Sequence, residues 1–524
     1  MKLALVNLFP DDTIARYLLA GYMLKAYLEQ KLSPEAGLVM EVLDLPASAP
    51  ASEVAQKIAA LAPDAVGFSC YIWNVEKALE VMAIMRPGFG GPFILGGPEI
   101  SLGRAAELEA LAPGSLYVIG EGEEILSGLM TWLLAGGAGA PPAGTARFVD
   151  GQAQYAPAQG GVDLAQVPSI YLGGTLPASL YQRRQVFLET QRGCQYRCKY
   201  CVYHKGLPAI KYYPEERVRA ELDHLVLKAR VSGLRIVDAI FPSDLARAKR
   251  LVRHLQDLKD GGAMLPWIYW EFVYSGVDEE FLALAAGLKT KPDIHNCRDT
   301  QPADRPQVYS DLLKSYMVIN CLGVQSFHGP SLKAVGRPPV ERERFAAFME
   351  QVRRHNLVLK MDMILGLPQE TLDTYLAGLE FILPFFAGTD HVLNIHRLQI
   401  LPGSLLEEQA ESMGLIYSRR APHLVHHTRH LPPQDMDRAA RLSGLLFRVV
   451  NSPLRGEFFT AAQARGQGYM ALTQEVLAAL AADPSTQGCR LLGGGEIDDI
   501  YWNQDIYADI PSAWLSGYLA GQGA

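Results

Sequence analysis

Three of the seven cysteines fall in one short stretch, Cys194, Cys198 and Cys201, spaced C-x3-C-x2-C behind Gly193 and a short apolar run, Val186–Leu188. Three thiolates on a glycine-led loop can occupy three corners of a cube and cannot supply a fourth. A [4Fe–4S] cluster held this way keeps one iron without a protein ligand, and a small molecule can bind there and receive an electron. Structural zinc asks for four Cys or His ligands, a set that His204 would complete. A disulfide sits poorly with an odd number of thiols in a reducing compartment.

The stretch Glu189-Thr-Gln-Arg-Gly-Cys-Gln-Tyr-Arg-Cys-Lys-Tyr-Cys201 resembles the signature of radical S-adenosylmethionine enzymes. The resemblance implies that the open iron chelates the amino and carboxylate groups of S-adenosylmethionine, whose one-electron cleavage yields a 5′-deoxyadenosyl radical. It also implies that Tyr200, just before the last cysteine, lies near the adenine.

Such a loop needs elements to hold it. Downstream, apolar strand patterns at 185–188, 234–240, 267–273, 316–325, 357–365 and 392–401 alternate with helical ones at 215–228, 245–258, 340–355 and 371–386. This predicts a partial (β/α)6 barrel over residues 183–404, with functional groups at strand ends. Polar residues there include Asp238, Glu271, Gln325, Ser326, Asp362, His396 and Arg397. For S-adenosylmethionine we expect Glu271, Gln325 and Ser326 at the ribose and amino group, and Arg337 at the carboxylate through a two-pronged pair; capping of strand ends is the plainer alternative. No catalytic residue is assigned.

Upstream, residues 1–134 alternate strands at 3–8, 38–45, 65–69, 93–95 and 116–119 with helices at 13–30, 52–61 and 75–85. That order predicts a doubly wound, Rossmann-like parallel sheet whose ligand crevice lies at the carboxyl ends of the strands. Asn7–Pro10, Ser69–Asn74, Gly96–Ser101 and Gly120–Glu123 fall there, with glycines that let backbone approach a ligand. Their order resembles the cobalamin-binding domain in front of one class of radical S-adenosylmethionine enzymes, where Gly-Gly-Pro-Glu and Gly-Glu-Gly-Glu close the fourth and fifth strands. The resemblance implies cobalamin contacts from Tyr71, Trp73, Asn74, Gly96, Gly97, Pro98, Glu99, Gly120, Glu121 and Gly122. The Asp-x-His-x-x-Gly motif is missing, and no histidine precedes His204, so this domain has no imidazole for the lower face of the cobalt. The barrel segments are similar to those of the subgroup that includes the anaerobic magnesium-protoporphyrin cyclase.

Between the two, residues 135–182 read as a Gly/Ala/Pro linker, a small hairpin about Asp150-Gly151 and a connecting arm. Residues 405–524 read as a mainly helical lid. They contain the cluster His423, His426, His427 and His430, read as a substrate-covering segment more than a metal site, and an aromatic-rich tail at 501–518. Cys70, Cys297, Cys321 and Cys489 have no partner at ligand spacing, and Cys321 is expected in the core.

The chain has 524 residues, 49% of them hydrophobic and 20% charged, with a net charge of −8. These values suit a globular protein of two or three domains and disfavour a nucleic-acid surface. The basic groups Arg247–Arg250 and Arg342/Arg344 read as solvated helix faces. The sequence shows no signal peptide and no apolar run that would span a membrane, and the scattered cysteines suit the cytoplasm.

The function expected is C-methylation of a small metabolite or natural-product intermediate, with a [4Fe–4S] cluster, S-adenosylmethionine and cobalamin as cofactors and a flavodoxin or ferredoxin as electron donor. The alternatives are a radical cyclisation, rearrangement or oxidation without methyl transfer, a cobalamin-independent transfer of another fragment of S-adenosylmethionine, and an iron–sulfur redox or binding module.

Overall fold

The computed structural model describes residues 1–10, 15–203, 209–288, 318–492 and 510–521. His204, Cys297 and residues 501–509 of the aromatic tail lie outside them.

The first unit is a seven-stranded sheet in the order β2-β1-β3-β4-β5-β6-β7, formed by Lys2–Phe9 (β1), Val39–Pro46 (β2), Ala65–Ser69 (β3), Phe93–Gly96 (β4), Leu116–Val118 (β5), Thr145–Val149 (β6) and Gln152–Gln154 (β7). The first five strands are parallel, as the alternating sequence predicts, with the order reversing beside β1. The hairpin about Asp150-Gly151 does not stand apart in the linker. Its first strand pairs antiparallel with β5 and covers that edge of the sheet.

The second unit is a six-stranded, fully parallel sheet in the order β15-β14-β13-β12-β11-β8: Gln185–Leu188 (β8), Gly233–Ile236 (β11), Trp267–Phe272 (β12), Val318–Gln325 (β13), Leu359–Leu365 (β14) and Val392–Arg397 (β15). Alternation sorts its side chains. Trp270, Phe272, Leu322, Val324, Met361, Met363, Leu393 and Ile395 join the main apolar core under the helices. Tyr269, Glu271, Cys321, Lys360, Asp362, Asn394 and His396 take the opposite, concave side. Cys321 is buried as expected, 1% exposed, in a small cluster with Tyr269 on that side, and its thiol donates to Asp362 Oδ2 at 3.2 Å. Two short strands, Gln191–Arg192 (β9) and Lys211–Tyr212 (β10), pair antiparallel on either side of the cysteine loop.

One apolar core runs from one face of the first sheet through the arm, by way of Val162, Leu164, Ile170 and Tyr171, into the barrel. Within it the Tyr17 and Tyr171 hydroxyls lie 2.9 Å apart, and Tyr17 Oη accepts from Phe187 N on β8 at 3.2 Å. The C-terminal region adds a hairpin, Leu415–Tyr417 (β16) with Val425–Thr428 (β17), and helices Pro433–Val450, Arg455–Arg465, Tyr469–Ala482 and Ser512–Leu519. Among the described residues no helix is long and apolar enough to cross a membrane.

Candidate cofactor site

The cysteine loop is fixed from behind and from both sides. Behind it, Asp238 is buried after β11. One of its oxygens accepts from the amides of Thr190 (2.7 Å) and Gln191 (3.2 Å), and the other from the Thr190 hydroxyl (2.6 Å). Burial pushes this carboxyl up to about 7, against the pull of those donors. Arg247, read from sequence as part of a solvated face, is also buried here. It donates to Thr190 Oγ1 and O, both at 3.1 Å, and to Tyr213 O at 3.3 Å, because its helix turns that one position toward the loop. Lys249 and Arg250 of the same run do pair at the surface, with Asp278, Glu280 and Glu215.

At the sides, Lys199 N donates to Val335 O and Lys199 O accepts from Leu406 N, at 2.9 and 2.8 Å. Arg337 reaches in from just after the short helix Gly329–Ala334, donating to Gly323 O at 2.8 Å, Tyr200 Oη at 3.3 Å and Cys198 Sγ at 3.6 Å. This places a buried cation directly beside one sulfur of the loop. Burial pushes Cys201 up to about 12, with Cys198, Cys194 and Glu271 adding to it, so the three sulfurs and Glu271 share one field. Cys194, Cys198 and Cys201 are all free thiols. Among the described residues no three His, Cys, Asp or Glu side chains converge on a single metal ion. A cluster spreads its ligands over the corners of a cube, and the donor set here, three thiols with a cation behind one of them, has the chemistry to hold it.

The residues expected at S-adenosylmethionine divide. Glu271 is half-buried on the concave side with Tyr269 Oη donating to it at 3.2 Å, and burial together with the Asp362 charge raises its pKa. Gln325 ends β13 with φ of 71°, a left-handed conformation that non-glycine residues adopt at a cost of about 1 kcal/mol. Ser326 is 1% exposed and donates to Glu370 Oε1 at 2.5 Å, so its hydroxyl is spent inside the protein. Below them, Asn394 donates to Asp362 Oδ1 at 2.8 Å, and Lys360 lies 3.6 Å from the same oxygen. Burial opposes ionisation of Asp362, but Lys360 and His396 outweigh it and lower its pKa. Burial brings His396 down to about 4, keeping it neutral.

At the carboxyl ends of the first sheet, Trp73, Gly97, Pro98 and Gly120 are exposed and form an open rim. Tyr71 and Trp73 stack with ring centroids 4.4 Å apart and planes 10° apart, and Trp73 Nε1 is tied to Leu8 O at 3.2 Å. An anchored aromatic plane beside exposed backbone suits a large flat ligand. Asn74 instead shapes the loop: it is 1% exposed, its amide donates to Leu8 O and Ser69 O, and its oxygen accepts from Tyr71 N. Gly97 is required by packing, since at φ 110° a Cβ would lie 2.5 Å from Cys70 O.

The acidic residues of the two glycine motifs turn away from the first sheet, Glu99 toward the C-terminal region and Glu121 and Glu123 toward the second unit. Glu99 Oε2 meets His423 Nε2 at 3.1 Å, both side chains 2% exposed. Glu121 and Glu123 take Arg192, at 3.2 and 2.6 Å. The four histidines do not act as one group: His423 is committed to Glu99, while His426 and His427 lie on β17. Sequence reasoning missed Arg192 and Lys211, and it read His423 only as part of the histidine cluster. Arg192 had a signal, being two residues before Cys194; the pairing of His423 with Glu99, some 300 residues away, had none.

Residues 20–130 match the B12 binding domain family. The chain is 26% identical over 407 residues to the cobalamin-dependent radical SAM methyltransferase TokK of Streptomyces tokunonensis, covering 74% of this chain and 54% of that one. It is 25% identical over 363 residues to the 2-(S-pantetheinyl)-carbapenam-3-carboxylate methyltransferase of Streptantibioticus cattleyicolor, covering 67% and 49%. The chain spans about half the length of these curated relatives. Among solved structures, the radical S-adenosylmethionine methyltransferase TsrM of Kitasatospora setae, with tryptophan and a SAM analogue bound, superposes with a TM-score of 0.61 at 18% identity, covering 84% of this chain and 88% of that one. The cobalamin-dependent S-adenosylmethionine radical enzyme OxsB, with aqua-cobalamin and S-adenosylmethionine bound, gives 0.63 at 16% identity, covering 93% and 73%. The fold is a B12-binding-type sheet domain followed by a six-stranded parallel half-barrel similar to that of these radical S-adenosylmethionine enzymes. Residues 20–130 thus carry the B12 binding domain, and the chain as a whole is similar to cobalamin-dependent radical S-adenosylmethionine enzymes.

Proposed function

We propose that this protein is a cobalamin-dependent radical S-adenosylmethionine methyltransferase that methylates a poorly nucleophilic carbon of a small metabolite or natural-product intermediate. The observation that carries the reading is the direct bonding of the cysteine loop's lead-in, through Arg192, to the ligand edge of the B12-binding-type sheet. Two cofactor platforms are thereby held face to face. The cluster and cobalamin, when bound, supply one-electron cleavage of S-adenosylmethionine and a methyl carrier.

The chain's own residues do the holding. Cys194, Cys198 and Cys201 bind the cluster, with Arg337 beside the Cys198 sulfur. Tyr200, Glu271 and Gln325 face S-adenosylmethionine. Tyr71, Trp73 and the backbone of Gly97, Pro98 and Gly120 carry cobalamin. The concave groups Glu271, Asp362 and His396 line the space left for substrate, where fixing the reacting carbon supplies much of the rate. Overall, one substrate C–H becomes C–CH3. Two S-adenosylmethionines and two electrons from an external one-electron donor such as a flavodoxin or ferredoxin are consumed, and one S-adenosylhomocysteine, one methionine and one 5′-deoxyadenosine are released.

The test is anaerobic reconstitution with cobalamin and methyl-labelled S-adenosylmethionine. Label appears in the product and 5′-deoxyadenosine accumulates. Label left wholly in methionine excludes methyl transfer, and a protein that takes up no cobalamin, read from its visible absorbance, excludes the cofactor. Replacing the three cysteines by alanine removes the iron.

A further inference from the structure

Arg192 lies on β9, two residues before Cys194, and each of its guanidine nitrogens is engaged. Nε donates to both oxygens of Glu189 at 3.1 and 3.0 Å, Nη1 to Glu121 Oε1 at 3.2 Å, and Nη2 to Glu123 Oε1 at 2.6 Å and Tyr213 Oη at 3.2 Å. Glu121's second oxygen takes Lys211, which stands opposite Arg192 across the β9–β10 pair. Side-chain exposures of 13% for Arg192, 14% for Glu121 and 5% for Glu123 leave water little room to replace the guanidinium. Two cations from the barrel thus gather three carboxylates, two of them from the fifth-strand turn of the sheet domain. A planar fork with fixed donors can serve three acceptors at once, which an ammonium on a flexible stem cannot. The neighbouring fourth-strand turn has its own separate tie, Glu99 to His423.

We propose that Arg192 is a positioning residue: it fixes the turn Gly120–Glu123 against the cysteine loop and so sets how fully radical formation on one platform is used for methyl transfer on the other. This rests on the function proposed above. Productive transfer needs reacting atoms within about 3–3.5 Å, so a slackened turn leaves radical formation intact and wastes it. Coupled turnover yields one 5′-deoxyadenosine for each methyl that replaces a substrate hydrogen, and uncoupling raises that ratio.

The test uses the full chain, anaerobically reconstituted, as wild type, Arg192→Met, Arg192→Lys, Glu123→Gln and His423→Gln. In Arg192→Met, amides of 119–124 and 190–193 exchange hydrogen about tenfold faster while those of 96–101 keep the wild-type rate; His423→Gln gives the reverse pattern, and Arg192→Lys falls between. Iron content and cobalamin absorbance hold, and the ratio of 5′-deoxyadenosine to methylated product rises several-fold. Unchanged exchange at 119–124 in both Arg192→Met and Glu123→Gln overturns the placement, and an unchanged product ratio overturns the coupling. Should Arg192→Met fail to fold, Glu123→Gln, which keeps the Glu189 and Glu121 pairs, decides by the same exchange reading. A wild type that makes no methylated product sinks the function proposed above, while the exchange pattern still decides whether Arg192 holds the turn.

Discussion

At the scale of single residues, the cysteines depend on side chains that never touch them. Asp238 gathers two amides and a hydroxyl at the start of the cluster loop and is itself 2% exposed. Truncating it strands three donors that water cannot reach, at about 1–3 kcal/mol for each group left unsatisfied. We therefore expect Asp238→Ala to lower stability by about 3 kcal/mol in chemical denaturation, and to reduce the iron retained per chain after reconstitution even though all three cysteines remain. Retention of full iron in that variant would show that the loop holds its shape without the anchor. Arg247 belongs to the same anchor. It was misread from sequence because a basic run on a helix looks alike whether one of its members turns inward or not. Burial of that member is set by the tertiary angle of the helix, which no local pattern contains.

At the scale of elements, both parallel sheets were legible in the sequence because their strands are buried on both faces and read as short apolar runs between amphipathic helices. Helix Val75–Met85 begins and ends where its periodicity does, and the expected barrel strand at 316–325 is observed over Val318–Gln325. The hairpin was legible too, but not its pairing to β5, since an edge strand carries no mark of its partner. The glycine motifs were found and half explained: Gly97 answers to Cys70, Glu99 to the C-terminal region and Glu121 to the barrel, all contacts between segments apart in the chain. Glycine positions make this testable. Gly97→Ala forces a Cβ into Cys70 O at φ 110° and should cost about 2–4 kcal/mol. Gly517→Ala, on the helix Ser512–Leu519 with nothing within 4 Å of the added carbon, should stabilise by about 0.5–1 kcal/mol. Thermal unfolding of the two variants separates a glycine demanded by packing from one that is merely tolerated.

At the scale of the whole molecule, a continuous core and several ion pairs join the two sheets, so the ionisation of groups buried in the barrel bears on the stability of the entire chain. Two such groups keep protons that the unfolded chain would release. Burial brings Asp238 up to about 7 and Glu370 up to about 8, the latter opposed by the Ser326 hydroxyl; Glu370's second oxygen has no partner among the described residues. In the unfolded chain both carboxyls titrate near pH 4. Between pH 4 and about 8 the folded state therefore binds more protons than the unfolded one, and the slope of stability against pH is negative for these two groups. Their contribution is whole below pH 4 and fades as pH rises through 7 and 8. The expected outcome is a higher midpoint of thermal unfolding at pH 6 than at pH 8. Glu370→Gln, which stays neutral and can still bond to Ser326, should flatten that difference by supplying at pH 8 what the protonated carboxyl supplies at pH 6. An undiminished pH difference in Glu370→Gln would place the titrating group elsewhere.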